Sequence, residues 1–278
     1  MRIIARADVT EAARALCIEA NRRLPDDVRR ALETAFQRET NPTAREALRQ
    51  IRENSALAEA TGLPLCQDTG LAVFFVTLGQ EVQVDGGLSE AIQEGVRRGY
   101  REGLLRASVC QPFRRANTGD NTPAVIHYDL IPGDGLRLAF MAKGGGAENM
   151  SRVTVLTPAE GWRGVTDFVL NLVAEARSNP CPPVILGLGI GGTFELAALL
   201  AKKALLRPLD DRHPDPDMAA REAALLEQVN ALGIGPMGLG GATTCLGVKM
   251  LAAHCHIASL PLAVNIQCHS SRHAELEL

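Results

Sequence analysis

A mixed α/β fold with a helical N-terminal region is the architecture this sequence predicts, and three observations predict it. Apolar residues recur at helical spacing through 9–62, with no strand-like run among them. From residue 63 onward, short apolar runs of strand length alternate with helical stretches. Glycine, 26 residues in all, gathers in a few loops at the junctions of those runs. Glycine at such places lets the chain reverse or approach another backbone closely. A length of 278 residues suits one large domain. It would be organised as a helical region over about 9–62 and a packed α/β region over about 63–278.

In order along the chain, Thr10 is placed to cap a first helix carrying Ala13, Leu16, Cys17 and Ala20. Asp26 and Asp27 open a second helix, and 43–60 supply a third. The run LAVFFVTL (71–78) reads as a buried strand, and 88–105 returns to helical spacing. Two further apolar runs, 124–131 and 136–142, are joined by Pro132-Gly133-Asp134-Gly135, a hairpin signal. A short strand over 152–157 and a helix over 164–177 follow. A strand from 183 runs into glycines and then a helix over 193–206. The polar, proline-rich 207–216 reads as surface loop, 217–231 as helix and 260–266 as a last strand.

Composition removes several function classes. Charged residues are 22% with a net charge of −3, so the basic patch that nucleic acid requires is missing. No apolar run approaches the roughly 18 residues of a membrane span, and the N-terminus has no apolar signal-peptide core. A cytoplasmic protein is expected. The seven cysteines are odd in number and widely spaced, which fits reduced thiols better than a disulfide framework. No CxxC occurs, so any metal site must gather cysteines from distant segments. Cys17 lies on the apolar face of a helix, and Cys110, Cys245 and Cys255 have mostly structural readings. Cys66, Cys181 and Cys268 differ, since each ends an apolar run or sits beside a loop-forming proline. Three cysteines on separate loops can ligate three irons of a [4Fe–4S] cube, although three of seven can be chosen in many ways.

Five segments combine glycine with polar or reactive groups: LPLCQDTG (63–70), RRANTGDNTP (114–123), KGGGAENMS (143–151), NPCPPVILGLGIGGTFE (179–195) and GIGPMGLGGATT (233–244). One alone would be a tight turn. Five suggest a site for something small and negative, because glycine lets backbone N–H groups point at an anion. Gly187, Gly189 and Gly192 also spell GxGxxG between a strand and a helix, with Asp210 and Asp211 about 20 residues on. A dinucleotide fingerprint needs that acid at the end of a second strand. Here it follows ALLRPL, where proline interrupts.

Taken together and in order, PLCQDTG, NTGDNTPAVIH, KGGGAEN, CPPVILGLGIGGTFE, GIGPMGLGG and the closing NIQCHSSRH resemble the class I, iron–sulfur fumarate hydratases. The similarity is strongest to the α subunit of the two-subunit forms, which include L(+)-tartrate dehydratases. It runs from about residue 10 to the end. The resemblance implies that Cys66, Cys181 and Cys268 hold a [4Fe–4S] cluster whose remaining iron meets substrate oxygen. It implies catalytic roles for Asp68 and His256. It implies substrate contacts for Gln67, for Arg106 with a carboxylate, and for a backbone group of 144–146, with Gly145 favoured. Single-chain members continue into a second domain, whereas this chain stops ten residues after Cys268. A β subunit completing the active site, in an (αβ)2 assembly, is therefore expected.

The chemistry needs such groups. Removing water from a hydroxy dicarboxylate meets a weakly acidic α-proton and a poor leaving group. An open metal site polarises the C–O bond. Arginine forks and backbone N–H donors stabilise the charge that develops on the carboxylate. Asp68 can orient or relay the proton and His256 can hydrogen-bond the leaving hydroxyl. Arg272 can hold a carboxylate or pair with an acid, and His254, His269 and His273 read as structural or surface. Three readings compete. The first is the catalytic α subunit, with malate and fumarate ranked ahead of tartrate. The second is a cluster-less scaffold or binding protein. The third is a nucleotide-dependent oxidoreductase using the 187–192 glycines.

Overall fold

The computed structural model describes all 278 residues. Its elements in chain order are β1 (Arg2–Ile4), α1 (Arg6–Arg22), α2 (Asp26–Arg38), α3 (Pro42–Thr61), β2 (Leu71–Gly79), β3 (Val82–Val84), α4 (Leu88–Glu102), β4 (Val125–Ile131) and β5 (Leu136–Lys143). There follow α5 (Gly145–Met150), β6 (Arg152–Leu156), α6 (Gly161–Ala176), β7 (Val184–Gly191), α7 (Phe194–Ala204), α8 (Pro216–Ala231), β8 (Cys245–Ala253), β9 (Leu260–Gln267) and β10 (His273–Glu277). The mixed α/β class is as the sequence predicts. The chain divides into two compact units, one of residues 1–25, 54–145 and 272–278, the other of residues 26–53 and 146–271.

The first unit is built on a four-stranded sheet in the order β10-β5-β2-β4. β2 runs parallel to β4 and antiparallel to β5, and β10 pairs antiparallel with β5. This corrects the expected 124–142 hairpin, because β2 lies between its two strands. β2 is buried along most of its length while β4 is largely exposed. A strand buried on both faces belongs inside a sheet, so β2 takes the interior and β4 the edge. The Pro-Gly-Asp-Gly turn instead closes over the end of β2, where Gly79 N–H donates to the Gly135 carbonyl (2.8 Å) and Glu81 N–H to Gly133 (3.0 Å).

Helices α1 and α4 cover this sheet, packing Val9, Leu16, Ile92 and Val96 against Phe74, Leu138 and Phe140. Gly95 and Gly99 allow α4 to lie close to α1, since an added Cβ at Gly95 would press on the Thr10 carbonyl at 2.6 Å. Thr10 is not a cap. α1 begins at Arg6, and Thr10 is a buried interior residue whose hydroxyl donates to the Ala91 carbonyl in α4 at 3.1 Å.

The second unit carries a four-stranded sheet in the order β6-β9-β7-β8, with β7 and β8 parallel. Helices α6 and α8 supply Val169, Leu172, Leu225 and Val229 to one core, where they meet Leu186, Leu188, Met250 and Val264 of the sheet. Helix α7 packs through Ala197 and Ala201. A Cβ on Gly187 or Gly189 would collide with the carbonyls of Ala201 or Ala197. Those two glycines of GxGxxG therefore serve close helix–sheet contact. Asp210 and Asp211 stand in the loop after α7 and pair with Arg30 and Arg207, not at a strand end.

Candidate active site

The first unit gathers five of the expected site residues around the loop that leads into β2. Buried residues hold this loop from several elements, through the backbone of Asn21 and the side chains of Tyr100, Asn121 and Arg272. In α1, the Asn21 carbonyl accepts from Leu65 N–H (2.8 Å), and in α4, Tyr100 donates its hydroxyl to the carbonyls of Thr69 and Gly70. Asn121 donates to the same Gly70 carbonyl (3.2 Å). Arg272, just before β10, donates through Nη1 to the Asp68 carbonyl (2.6 Å) and to Asn21 Oδ1 (3.1 Å). It is 1% exposed. Gly70 has a φ of +75° and lies against the Lys143 backbone, where a Cβ would stand 2.8 Å away, so only glycine lets the loop meet β5 here.

This frame presents Cys66 half-buried, Gln67 exposed and Asp68 half-buried. The Cys66 thiol donates to Gln67 Oε1 at 3.2 Å. Both Asp68 oxygens are engaged. Oδ1 accepts from Gly70 N–H (3.1 Å) and Oδ2 from Gly145 N–H (2.8 Å). The amide singled out as a substrate contact is thus occupied by the chain's own carboxylate. Arg106 follows the end of α4 on a tether, since its carbonyl accepts from the Thr69 hydroxyl (3.0 Å) and Asn121 Oδ1 holds the next amides, Ser108 N–H and Val109 N–H. Its side chain is exposed and has no carboxylate partner within the chain.

The second unit holds Cys181, Cys268 and His256. Cys181 lies in the NPCPP turn with φ +54°. The ring of His269 donates from Nδ1 to the Cys181 carbonyl (2.9 Å), tying the Cys181 turn to the segment that carries Cys268. Cys268 itself contacts the Ser270 carbonyl through its thiol (3.7 Å). The 233–244 glycine loop braces this turn, with Met237 N–H donating to the Pro182 carbonyl at 2.7 Å. Other amides of the loop are taken by the fold itself, Gly235 N–H by the Thr244 hydroxyl, Gly240 N–H by the Ile234 carbonyl and Ala242 N–H by the Glu39 carboxylate. That loop is a support and not an anion cradle. Glu148 of the KGGGAEN motif is likewise structural, pairing with Lys202 (2.6 Å) and accepting from Asn265 (3.3 Å).

His256 sits in the exposed 254–258 loop after β8, above a largely apolar cavity of about 410 Å³ lined by Trp162, Met218 and Leu260. Its Nδ1 accepts from Ala258 N–H at 3.1 Å. In the neutral ring this leaves the proton on Nε2, free to donate.

A family model described as fumarate hydratase (Fumerase) matches residues 10–277. The chain belongs to the fumarate hydratase family. It is 43% identical over 258 residues, 90% of each chain, to a Methanocaldococcus jannaschii protein provisionally named as an L(+)-tartrate dehydratase subunit alpha. It is 35% identical to the L(+)-tartrate dehydratase subunit alpha of Escherichia coli, over 92% of this chain and 86% of that one. The Shigella boydii protein of the same name is 35% identical over 91% and 85%.

Membership makes the cysteine chemistry worth testing against the donors present. All seven thiols are free. Cys17 and Cys245 are buried, and burial raises both thiols, Cys245 to about 12, so neither supplies a thiolate readily. Cys66, Cys181 and Cys268 are half-buried on loops, as is Cys110, so each sulfur is open to an incoming ligand. No three His, Cys, Asp or Glu converge as they would around a single ion. Thiolates around a four-iron cube each take a different iron and stand further apart than that. Thiolates are the donor type that iron–sulfur clusters take.

Arg272 is the residue that sequence reasoning left undecided, while His269, read as structural or surface, has a structural contact with the Cys181 turn. Their only signal was position, within four residues of Cys268.

Proposed function

We propose that this chain is the α subunit of an iron–sulfur hydro-lyase that removes water from a hydroxylated dicarboxylate, with L(+)-tartrate as the first substrate and malate/fumarate as the second. The observation that carries the proposal is the framed 65–70 loop, which places a cysteine, a glutamine and an amide-bound aspartate side by side and ties them to the Arg106 loop. The sequence resemblance alone ranks malate/fumarate ahead. The relatives carry the tartrate name, and that reverses the order.

Cys66, Cys181 and Cys268 would hold the [4Fe–4S] cluster, which when bound supplies a Lewis acid to the substrate hydroxyl. Arg106, with no acid to neutralise it, takes a substrate carboxylate through its guanidinium fork. Gln67, exposed in the same framed loop as Cys66 and Asp68, hydrogen-bonds the polar substituents that distinguish one dicarboxylate from another. Asp68 occupies the Gly145 amide in the free chain, and an arriving carboxylate competes for that N–H. Releasing Asp68 from one donor frees an oxygen to orient or relay the α-proton. His256 donates from Nε2 to the leaving oxygen. A β subunit supplies the remaining groups in an (αβ)2 assembly. A cytoplasmic location is in keeping with seven cysteines that form no disulfide, and no helix is long and apolar enough to cross a membrane.

The test is iron and acid-labile sulfide per chain, purified anaerobically with its β subunit, together with turnover of L(+)-tartrate and of L-malate. About four of each per chain is expected, with tartrate turned over faster and both metal and turnover reduced in Cys268→Ser. A folded complex with no iron and no turnover of either acid would replace the proposal with the scaffold reading.

A further inference from the structure

The segment between Arg106 and Asn121 forms a hydrogen-bonded arm that the site itself does not use. Cys110 and Asn117 pair as an isolated antiparallel bridge. Gln111 N–H donates to the Ala116 carbonyl (2.9 Å), Arg115 N–H to Gln111 (3.0 Å) and Thr118 N–H to Val109 (3.0 Å). Buried Asn121 anchors the base through Ser108 N–H at 2.7 Å. The tip is preformed, yet residues 111–119 are all exposed. Phe113 is 95% exposed, more than any other large apolar residue of the chain. Arg114 and Arg115 beside it are exposed and pair with no carboxylate of their own chain.

A turn that displays one aromatic and two unpaired guanidinium groups has the composition of an interface anchor, where aromatic and arginine side chains carry most of the binding energy. Its place in the fold selects the occupant. Seven residues separate Arg106 from Phe113, so the tip lies no more than roughly 25 Å from Arg106. A standard interface of about 800 Å² per partner is a patch roughly 30 Å across. A subunit that reaches substrate held by Arg106 therefore falls within range of the arm. We infer that the Phe113-Arg114-Arg115 tip docks into the β subunit, in an apolar socket rimmed by acidic side chains. This inference rests on the proposed two-subunit enzyme.

The experiment measures binding of the β subunit, produced as a separate chain, to this chain by biolayer interferometry, with sedimentation of this chain alone in parallel. Phe113→Ser is expected to raise Kd about 30-fold or more. Arg114→Glu/Arg115→Glu is expected to slow association about tenfold and to flatten its dependence on salt. Both variants should keep the wild-type circular dichroism and melting temperature, because the altered side chains are exposed. Wild-type Kd and wild-type salt dependence in both variants would overturn the inference. Unchanged β binding with loss of self-association would assign the arm to a second copy of this chain and overturn it too. Failure of the wild-type chain to bind any β subunit would instead remove the two-subunit reading on which it rests.

Discussion

The loop at 65–70 and the loop at 254–259 both carry residues proposed for catalysis, yet they are held in opposite ways. The Asn21 backbone carbonyl in α1 and the buried side chains of Tyr100, Asn121 and Arg272 fix the backbone of the first. The second is held by its own atoms, Ser259 N–H to the His256 carbonyl (3.0 Å) and Ala258 N–H to the His256 ring. Ile257 at its tip is 92% exposed, and a cavity lies beneath it. Few buried contacts and solvent-exposed hydrogen bonds mark a segment that opens locally at little cost. The first loop is thus a fixed platform and the second a movable one. Substitutions should separate them by how much stability each loses along with activity.

The largest effect is expected behind the platform. Arg272→Leu removes a charged donor and leaves Asn21 Oδ1 and the Asp68 carbonyl without it in the interior. A cost of about 3 kcal/mol is expected from orphaning buried acceptors and losing a charge-assisted bond. Thermal unfolding of the purified chain checks it. A melting temperature unchanged within about one degree would mean that the platform does not depend on its clamp.

An intermediate effect is expected at Asp68. Asn in its place can accept from one of the Gly70 and Gly145 amides but turns a second N–H group toward the other. About 1 kcal/mol of stability should go. Activity with the β subunit should fall roughly a hundredfold to ten-thousandfold, as for loss of a proton-transfer group. Retained turnover would reduce Asp68 to a turn-forming residue that merely closes Gly70 and Gly145.

These differences follow from what a sequence can express. Periodicity located α2, α3, β2 and the α6–α8 helices because each buries a face of its own. It could not show that β2 would part β4 from β5, since pairing is chosen by burial across the sheet and not by the turn between strands. It missed β8, which begins beside a glycine-filled loop and carries Lys249 inside, and β10, whose polar composition fits an edge strand. The chemistry-bearing residues were legible because they cluster in short motifs. Their supports were not. Asn21, Tyr100 and Arg272 come from three distant parts of the chain, and each looks ordinary until the fold buries it. GxGxxG shows the same limit from the other side: the proline before Asp210 was enough to set the nucleotide reading aside, but only the fold shows that Gly187 and Gly189 serve close helix–sheet packing.

The smallest effect on stability is expected at the movable loop. His256→Ala removes a ring that contacts only Ala258 N–H in its own loop, and that amide is in an exposed segment where water can replace the ring nitrogen. Stability should change by no more than about 0.5 kcal/mol, as for most surface substitutions. If the ring donates to the leaving hydroxyl, kcat should nevertheless drop about a hundredfold or more, with KM changed far less, because a bond that strengthens as the C–O bond breaks acts on the transition state and not on the bound substrate. A rise in KM at constant kcat would make His256 a binding group. A melting temperature that falls as far as that of Arg272→Leu would show that the 254–259 loop is fixed after all, through contacts made when the β subunit is absent, and the distinction between platform and movable loop would not survive.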